Sequence, residues 1–275
     1  MLKCGRVRTP IRGGMTQLVE GELQQLRFAT LSLSAGGQYS LHSEDRELAV
    51  VLICGDCDAV IEGEADCRLG PRSNPFDQPP YALFVGRSNR IGFRAREASL
   101  LGIGSAPAAR RFANSYITPE QVATGERGTD NWKRSVRMIC WSDNTEGNML
   151  LAGETCTPSG NWSTVPPHRH QYDIPDTEAP YEEVYFFQFS RPHGFGLTWQ
   201  FDDSGEMDQA YSLRSGDALY MSGGYHPVAC APGSTLYHLS LMAGPQRISR
   251  ASVHKDYEFL LEENQIQNQY RPEIQ

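Results

Sequence analysis

The chain has 275 residues, 39% of them hydrophobic, with 33 acidic against 25 basic side chains and a formal net charge of −8. That length supports two cores of ordinary size. The acidic balance without a basic block excludes a protein held on nucleic acid by phosphate contacts. The longest apolar run, Leu48 to Cys54, is far too short to span a membrane.

The start, MLKCGRVRTPIRGG, is basic but carries no apolar stretch of a targeting signal, so a cytoplasmic location is expected. Only Lys3, Lys133 and Lys255 are lysines; the other basic residues are arginines, whose planar fork suits a carboxylate or phosphate, so a small anionic partner fits. The seven cysteines are odd in number and scattered, unlike a secreted disulfide framework.

In chain order, Leu48-Ala-Val-Val-Leu-Ile-Cys54 reads as a buried strand. Cys54-Gly-Asp-Cys57 lies between two strand-like runs, so Gly55-Asp56 is expected to be a hairpin turn and the cysteines structural. Gly102-Ile-Gly104 lacks the third glycine and following helix of a dinucleotide motif. Thr118-Pro-Glu-Gln121 has the cap residue, early proline and glutamine of a capping box and predicts a short helix. Asn161-Trp-Ser163 matches a glycosylation sequon that a cytoplasmic chain never presents to the machinery. Val184-Tyr-Phe-Phe-Gln-Phe189 is another strand, and Tyr257 to Glu263 a second short helix.

Gly, Pro, Asp and Ser clusters separate these runs about every ten residues, the spacing of a sandwich or barrel. Tyr81-Ala-Leu-Phe-Val85 resembles Asp217-Ala-Leu-Tyr-Met221. Leu100–Pro107 ends in GSAP as Leu239–Pro245 ends in MAGP. Glu47 opens one apolar strand as Glu183 opens another. These similarities indicate a duplicated barrel: residues 1–110 as the N-terminal copy, 111–130 as a linker with a short helix, and 131–275 as the C-terminal copy.

Pro166-Pro-His-Arg-His170 carries the chemistry. On a strand the i and i+2 side chains share a face, so His168 and His170 can serve one ion. Glu183 adds a carboxylate, and His226, after the glycine turn of Ser222-Gly-Gly-Tyr-His226, adds a third imidazole. Glu182 takes the place of Glu183 if the register slips by one. This donor set suits one divalent ion per chain, zinc or manganese first, with iron, cobalt or nickel also compatible. His193, in a Pro-Gly turn, His238, in a core-like strand, and His254, in a polar tail, read as ordinary.

Gly216 to His226 has the glycine, turn and histidine of the second cupin motif, and Glu183 stands where the first motif has its carboxylate. Two departures are a longer gap of twelve residues between His170 and Glu183, and Ser222 in place of a proline. The resemblance implies an all-β fold of two tandem cupin (double-stranded β-helix, jelly-roll) barrels with few short helices.

Thr157-Pro-Ser-Gly-Asn-Trp-Ser-Thr-Val-Pro-Pro-His-Arg-His170, Tyr181-Glu-Glu-Val-Tyr185, Gly224-Tyr-His-Pro-Val228 and Met242-Ala-Gly-Pro245 resemble the 5-deoxy-glucuronate isomerase family of myo-inositol catabolism. In the N-terminal half the likeness rests on strand pattern and Leu69-Gly-Pro-Arg72. It implies a metal-dependent aldose–ketose isomerase acting on a small sugar acid, 5-deoxy-D-glucuronate to 5-dehydro-2-deoxy-D-gluconate, in a homo-oligomer. Glu182, Tyr185, Tyr225 or a metal-bound hydroxide are candidates for proton transfer, and Lys133 or Arg134 for the substrate carboxylate. The chain departs from the family at Gln188, at Thr198 and in Val253-His-Lys-Asp256, which leaves open a cupin acting on another uronate. An Fe(II) dioxygenase is a further alternative, as is a sugar-binding protein without turnover.

Aligning Ala82–Val85 with Ala218–Met221 puts Arg90 at the place of His226. A guanidinium offers no lone pair to a cation, and Leu41-His-Ser-Glu44 supplies only His42 and Glu44 nearby. The N-terminal half is therefore expected to hold no metal.

Overall fold

A computed structural model describes residues 2–263; the expected end of the second barrel at residue 275 lies outside the described residues. The first half contains β1 (Cys4–Val7), β2 (Gly14–Val19), β3 (Arg27–Leu33), β4 (Gln38–His42), β5 (Arg46–Ile61), β6 (Cys67–Arg72), β7 (Ala82–Val85), β8 (Arg90–Ala95) and β9 (Ser99–Pro107). Next come β10 (Ser115–Ile117) and β11 (Ala123–Arg127). The second half contains β12 (Arg134–Cys140), β13 (Leu150–Thr157), β14 (Trp162–Ser163), β15 (His168–Arg169), β16 (Glu182–Phe189) and β17 (Gly196–Phe201). It ends with β18 (Asp208–Leu213), β19 (Ala218–Met221), β20 (Val228–Cys230), β21 (Leu236–Ala243) and β22 (Ser252–Val253). The fold is all-β and cupin-like. Among the described residues no helix is long and apolar enough to cross a membrane.

One sheet runs β10-β7-β5-β9-β3-β2, a second β1-β19-β16-β21-β13-β12-β11, and a third β14-β20-β17-β18. The first two pack face to face. Alternation along each strand divides its side chains between that contact and a barrel interior. On β5, Ala49, Val51 and Ile53 enter the core shared with Val184, Phe186, Leu239 and Leu241 of the second half. Leu48, Val50 and Leu52 fill the interior of the first half instead. On β16, Tyr185, Phe187 and Phe189 fill the interior of the second. Gly102 and Gly104 on β9 face the shared core. A Cβ there would stand 2.5 Å from Leu239 Cδ2 and 2.8 Å from Leu241 Cδ1, so their lack of side chains leaves room for the two leucines.

A buried ionic cluster spans the same contact. The fully buried Arg72 makes a fork of two 2.9 Å bonds to Glu154, which also accepts from Tyr237 Oη at 2.6 Å and Arg137 Nη1 at 3.2 Å. Arg72 closes the segment Leu69–Arg72 singled out in the sequence, so that segment ties the first half to β13 of the second.

Gly55-Asp56 is not the hairpin turn expected. β5 runs through it as one sixteen-residue strand. It pairs with β7 as far as Val51 and with β9 as far as Cys54, then with β6 from Gly55 and with β8 from Cys57 onward. Gly55, at φ +109°, absorbs the bend, and a Cβ there would lie 2.4 Å from Ser99 Oγ. The expected helix at Thr118–Gln121 is one 3₁₀ turn, Pro119–Gln121, in which Gln121 Oε1 accepts from the Thr118 N–H at 2.9 Å. Around it, β10 pairs with β7 and β11 with β12, so the segment read as linker carries two short paired strands. β1, from the first half, pairs with β19 of the second. Near the end, a 3₁₀ turn at Lys255–Tyr257 precedes a short helix, Phe259–Glu263.

Two carboxylates clasp the halves reciprocally. Glu47, fully buried, accepts from the backbone N–H groups of Asn148, Met149 and Leu150, each at 2.6 Å. Glu182 accepts from those of Gln24, Gln25 and Leu26 at 2.7, 2.7 and 2.9 Å. Glu47 pairs with Ala106 and Glu182 with Ala243, so the repeat matches Glu47 to Glu182 rather than to Glu183. The counterpart of Glu183 is Leu48: Leu48 pairs with Val85 as Glu183 pairs with Met221.

Glu47→Ala strips three short bonds from amides inside this contact and should cost about 3 kcal/mol in denaturant unfolding. Glu182→Ala, at a more exposed clasp, should cost less.

Candidate metal centre

β15 is short because two prolines precede it and a long loop follows. Its alternation places three successive side chains as expected. His168 and His170 are buried at 7% and 3% exposure. Arg169 between them turns outward, to Glu178 and Asp203, with its guanidinium 4.9 Å from the Tyr172 ring centre and 5.6 Å from that of Tyr225. Glu183 enters the barrel interior from β16, and His226 follows the turn at Gly223-Gly224, whose φ values are +157° and +77°.

Each of the three imidazoles has Nδ1 beside a backbone carbonyl. The distances are 3.0 Å from His168 to Pro166, 3.1 Å from His170 to Tyr181, and 3.2 Å from His226 to Gly224. A carbonyl only accepts, so Nδ1 carries the proton and a neutral ring leaves its lone pair on Nε2, the arrangement that orients metal-ligating histidines. Two of those nitrogens, on His170 and His226, converge on Glu183, while His168 is not part of that group. His170 Nε2 lies 2.8 Å and His226 Nε2 3.4 Å from the same Glu183 Oε2. The buried His226 Nε2 has no hydrogen-bond partner among the described residues. The donor atoms of His170, Glu183 and His226 all lie within 4.8 Å of one another, so this buried group can hold a metal ion. The His168 ring packs 5.2 Å from that of His226 and borders the same cavity.

Protonation follows the crowding. Burial alone would raise the Glu183 carboxyl, but His170 and His226 hold it well below the usual carboxylate range. For His170, burial is outweighed by the Glu183 carboxylate and the Tyr181 carbonyl, and the imidazole is raised. Burial and the neighbouring His226 push His168 well below its ordinary value. Ser240 Oγ donates to Glu183 Oε1 at 2.5 Å and fixes the carboxylate from the far side.

The cavity beside this group has a volume of about 180 Å³ and a cationic wall from Arg127, Arg134 and Arg250. Arg134 is buried; its Nη1 donates to the Trp132 carbonyl at 3.2 Å. Tyr185 also borders the cavity, its ring 5.7 Å from that of His226. The other candidates are placed elsewhere. Glu182, one residue from Glu183, points to the opposite face of β16 with its oxygens on three amides, so it is not the base at this centre. Tyr225 Oη is 3.1 Å from Asp203 Oδ1, in a separate cleft with Arg169. Lys133 is exposed, its Nζ paired with Glu126 at 2.7 Å.

Two residues on the cavity wall, His238 and Ser240, escaped the sequence reading. Both lie on β21, where apolar neighbours made His238 look like ordinary core. The available signal was parity: His238, Ser240 and Met242 alternate with Leu239, Leu241 and Ala243, which enter the shared core. Of the departures, Gln188 borders an outer cleft with Arg8 and Arg214, and Thr198 Oγ1 donates to the Pro227 carbonyl at 3.1 Å. The tail departure touches the centre directly, since Val253 pairs with His168.

Residues 12–260 match the KduI/IolB family. The 5-deoxy-glucuronate isomerase of Geobacillus thermodenitrificans is 30% identical over 86% of this chain and 86% of its own length. That of Bacillus licheniformis is 28% identical over 88% and 89%. The crystal structure of an IolB-like protein from Salmonella typhimurium superposes with a TM-score of 0.89 at 26% identity, covering 93% of this chain and 98% of that one. An oxalate decarboxylase of Bacillus subtilis, at 10% identity and a TM-score of 0.62 over 96% of this chain and 83% of its own, shares the fold.

His226→Ala and His168→Ala should lose the bound ion, read by elemental analysis, while circular dichroism stays that of the parent, because the barrel core is apolar. Glu183→Gln should lose metal and Glu182→Gln retain it. Full occupancy in both histidine variants would refute the ligand set.

Proposed function

The chain belongs to the KduI/IolB family, and from that membership and the geometry of the centre we propose that it is a metal-dependent aldose–ketose isomerase of a sugar acid. The reaction proposed is 5-deoxy-D-glucuronate to 5-dehydro-2-deoxy-D-gluconate, an intramolecular oxidoreduction in inositol catabolism. The observation that carries it is the convergence of anchored imidazoles and Glu183 on the wall of a cavity that also holds buried arginine. His168, His170, Glu183 and His226 are the proposed ligands of one divalent ion, zinc or manganese. Bound there, such an ion supplies Lewis acidity toward the carbonyl and adjacent hydroxyl of an open-chain sugar.

The remaining work falls to the chain. Isomerisation moves one proton from C2 to C1 and the C2 hydroxyl proton to the C1 oxygen, and needs no external oxidant. Among the side chains considered for that transfer, Tyr185 borders the cavity and is the one we retain. Arg134 is the proposed partner of the substrate carboxylate, held by Trp132 so that little ordering remains on binding. The packed apolar interior of residues 1–110, with Leu48 at the counterpart of Glu183, supports a structural role for that half and a catalytic one for residues 131–275. Seven free cysteines support a cytoplasmic location.

Metal-loaded protein should convert 5-deoxy-D-glucuronate in an NMR assay across a panel of aldo- and keto-uronates, without oxygen uptake. Chelation should abolish turnover and added metal restore it. Arg134→Ala should raise KM roughly 10- to 100-fold with a smaller change in kcat. Oxygen consumption with no isomer formed would favour the dioxygenase reading. The protein is expected to be a homo-oligomer, so a monomer by light scattering at micromolar concentration would contradict that part.

A further inference from the structure

His238 is 2% exposed, it borders the metal-side cavity, and its Nδ1 is buried without a hydrogen-bond partner among the described residues. A buried polar nitrogen left unpaired costs stability, so its retention on an otherwise apolar strand needs a reason. The ring is held by aromatic contacts: its centre lies 4.5 Å from that of Tyr185 and 5.9 Å from that of Phe187. In register, Thr155 flanks it on β13 and Phe187 on β16. Burial, with Arg134 nearby, lowers the imidazole to about 3, so it is neutral at ordinary pH. In a neutral imidazole one nitrogen donates and the other accepts, and whichever role falls to Nδ1 a hydroxyl can meet it, since a hydroxyl does both.

We propose that His238 hydrogen-bonds a hydroxyl of the bound sugar acid and sets which polyhydroxy acids the cavity accepts. This rests on the isomerase reading and deepens it. A site built around a buried polar group discriminates strongly, because an analogue without the matching hydroxyl leaves the nitrogen unpaired again. His238 is a substrate contact rather than a ligand of the ion, and the proton carried between C2 and C1 does not pass through it.

The test uses the metal-loaded full chain with His238→Leu and, should that variant fold poorly, His238→Gln. Metal content should equal that of the parent in both. Melting temperature should be unchanged or raised in His238→Leu, since an unpaired polar atom is removed, whereas a merely structural histidine would lower it. With the uronate that the parent converts best, kcat/KM should fall roughly 10- to 100-fold, mostly through KM. Selectivity between that uronate and its deoxy analogues should narrow. Unchanged KM and selectivity in both variants overturn the role of His238 and leave the isomerase reading standing. A parent that neither binds nor converts any uronate overturns that reading, and this inference with it.

Discussion

The face-to-face contact of two sheets governs everything else in this protein. Each sheet has one side in that contact and the other in its own barrel, so the side chains of β5, β16 and β21 alternate between gluing the halves and lining an interior. The adjacent carboxylates Glu182 and Glu183 show the consequence. One accepts from three amides of the first half and the other lies against the imidazoles of His170 and His226, though they share a backbone and a chemistry. A slip of one residue would exchange their tasks and destroy both.

The strand registers keep the clasp in both halves and the candidate ligand in one. Glu47 and Glu182 occupy matching registers, but the next position is Leu48 in the first half and Glu183 in the second. An apolar side chain there closes the first barrel with hydrophobic packing, while the second keeps a polar, partly open interior. One half is thus filled, and the other gathers imidazoles and a carboxylate in a low-dielectric site.

Much of this was legible in the residues. Spacing of short apolar runs gave the all-β class, and the His-x-His pair, Glu183 and the glycine turn before His226 pointed to the buried group of His170, Glu183 and His226 that can hold a metal ion, because strand parity and turn chemistry are local rules. What was not legible depended on contacts distant in sequence. Gly55-Asp56 looks like a turn until β6 and β8 are seen pairing with the second part of β5. Glu182 was a plausible base until the amides of Gln24 to Leu26 appeared opposite it. His238 was hidden because only the pairing of β21 with β16, through Phe187 opposite His238 and Met242 opposite Glu183, puts it on the face that Glu183 occupies.

The buried fork of Arg72 on Glu154 has a thermodynamic consequence. It crosses the same contact as the two clasps, with β13 on one side and the first half on the other. Unfolding one half alone would break this pair and bare the apolar face of the shared core to water, which makes a half-unfolded molecule costly. The two halves are therefore expected to melt as one cooperative unit. Whatever free energy a ligand contributes at the far side of β16 protects the amides of the first half from exchange as fully as those around the ligand itself.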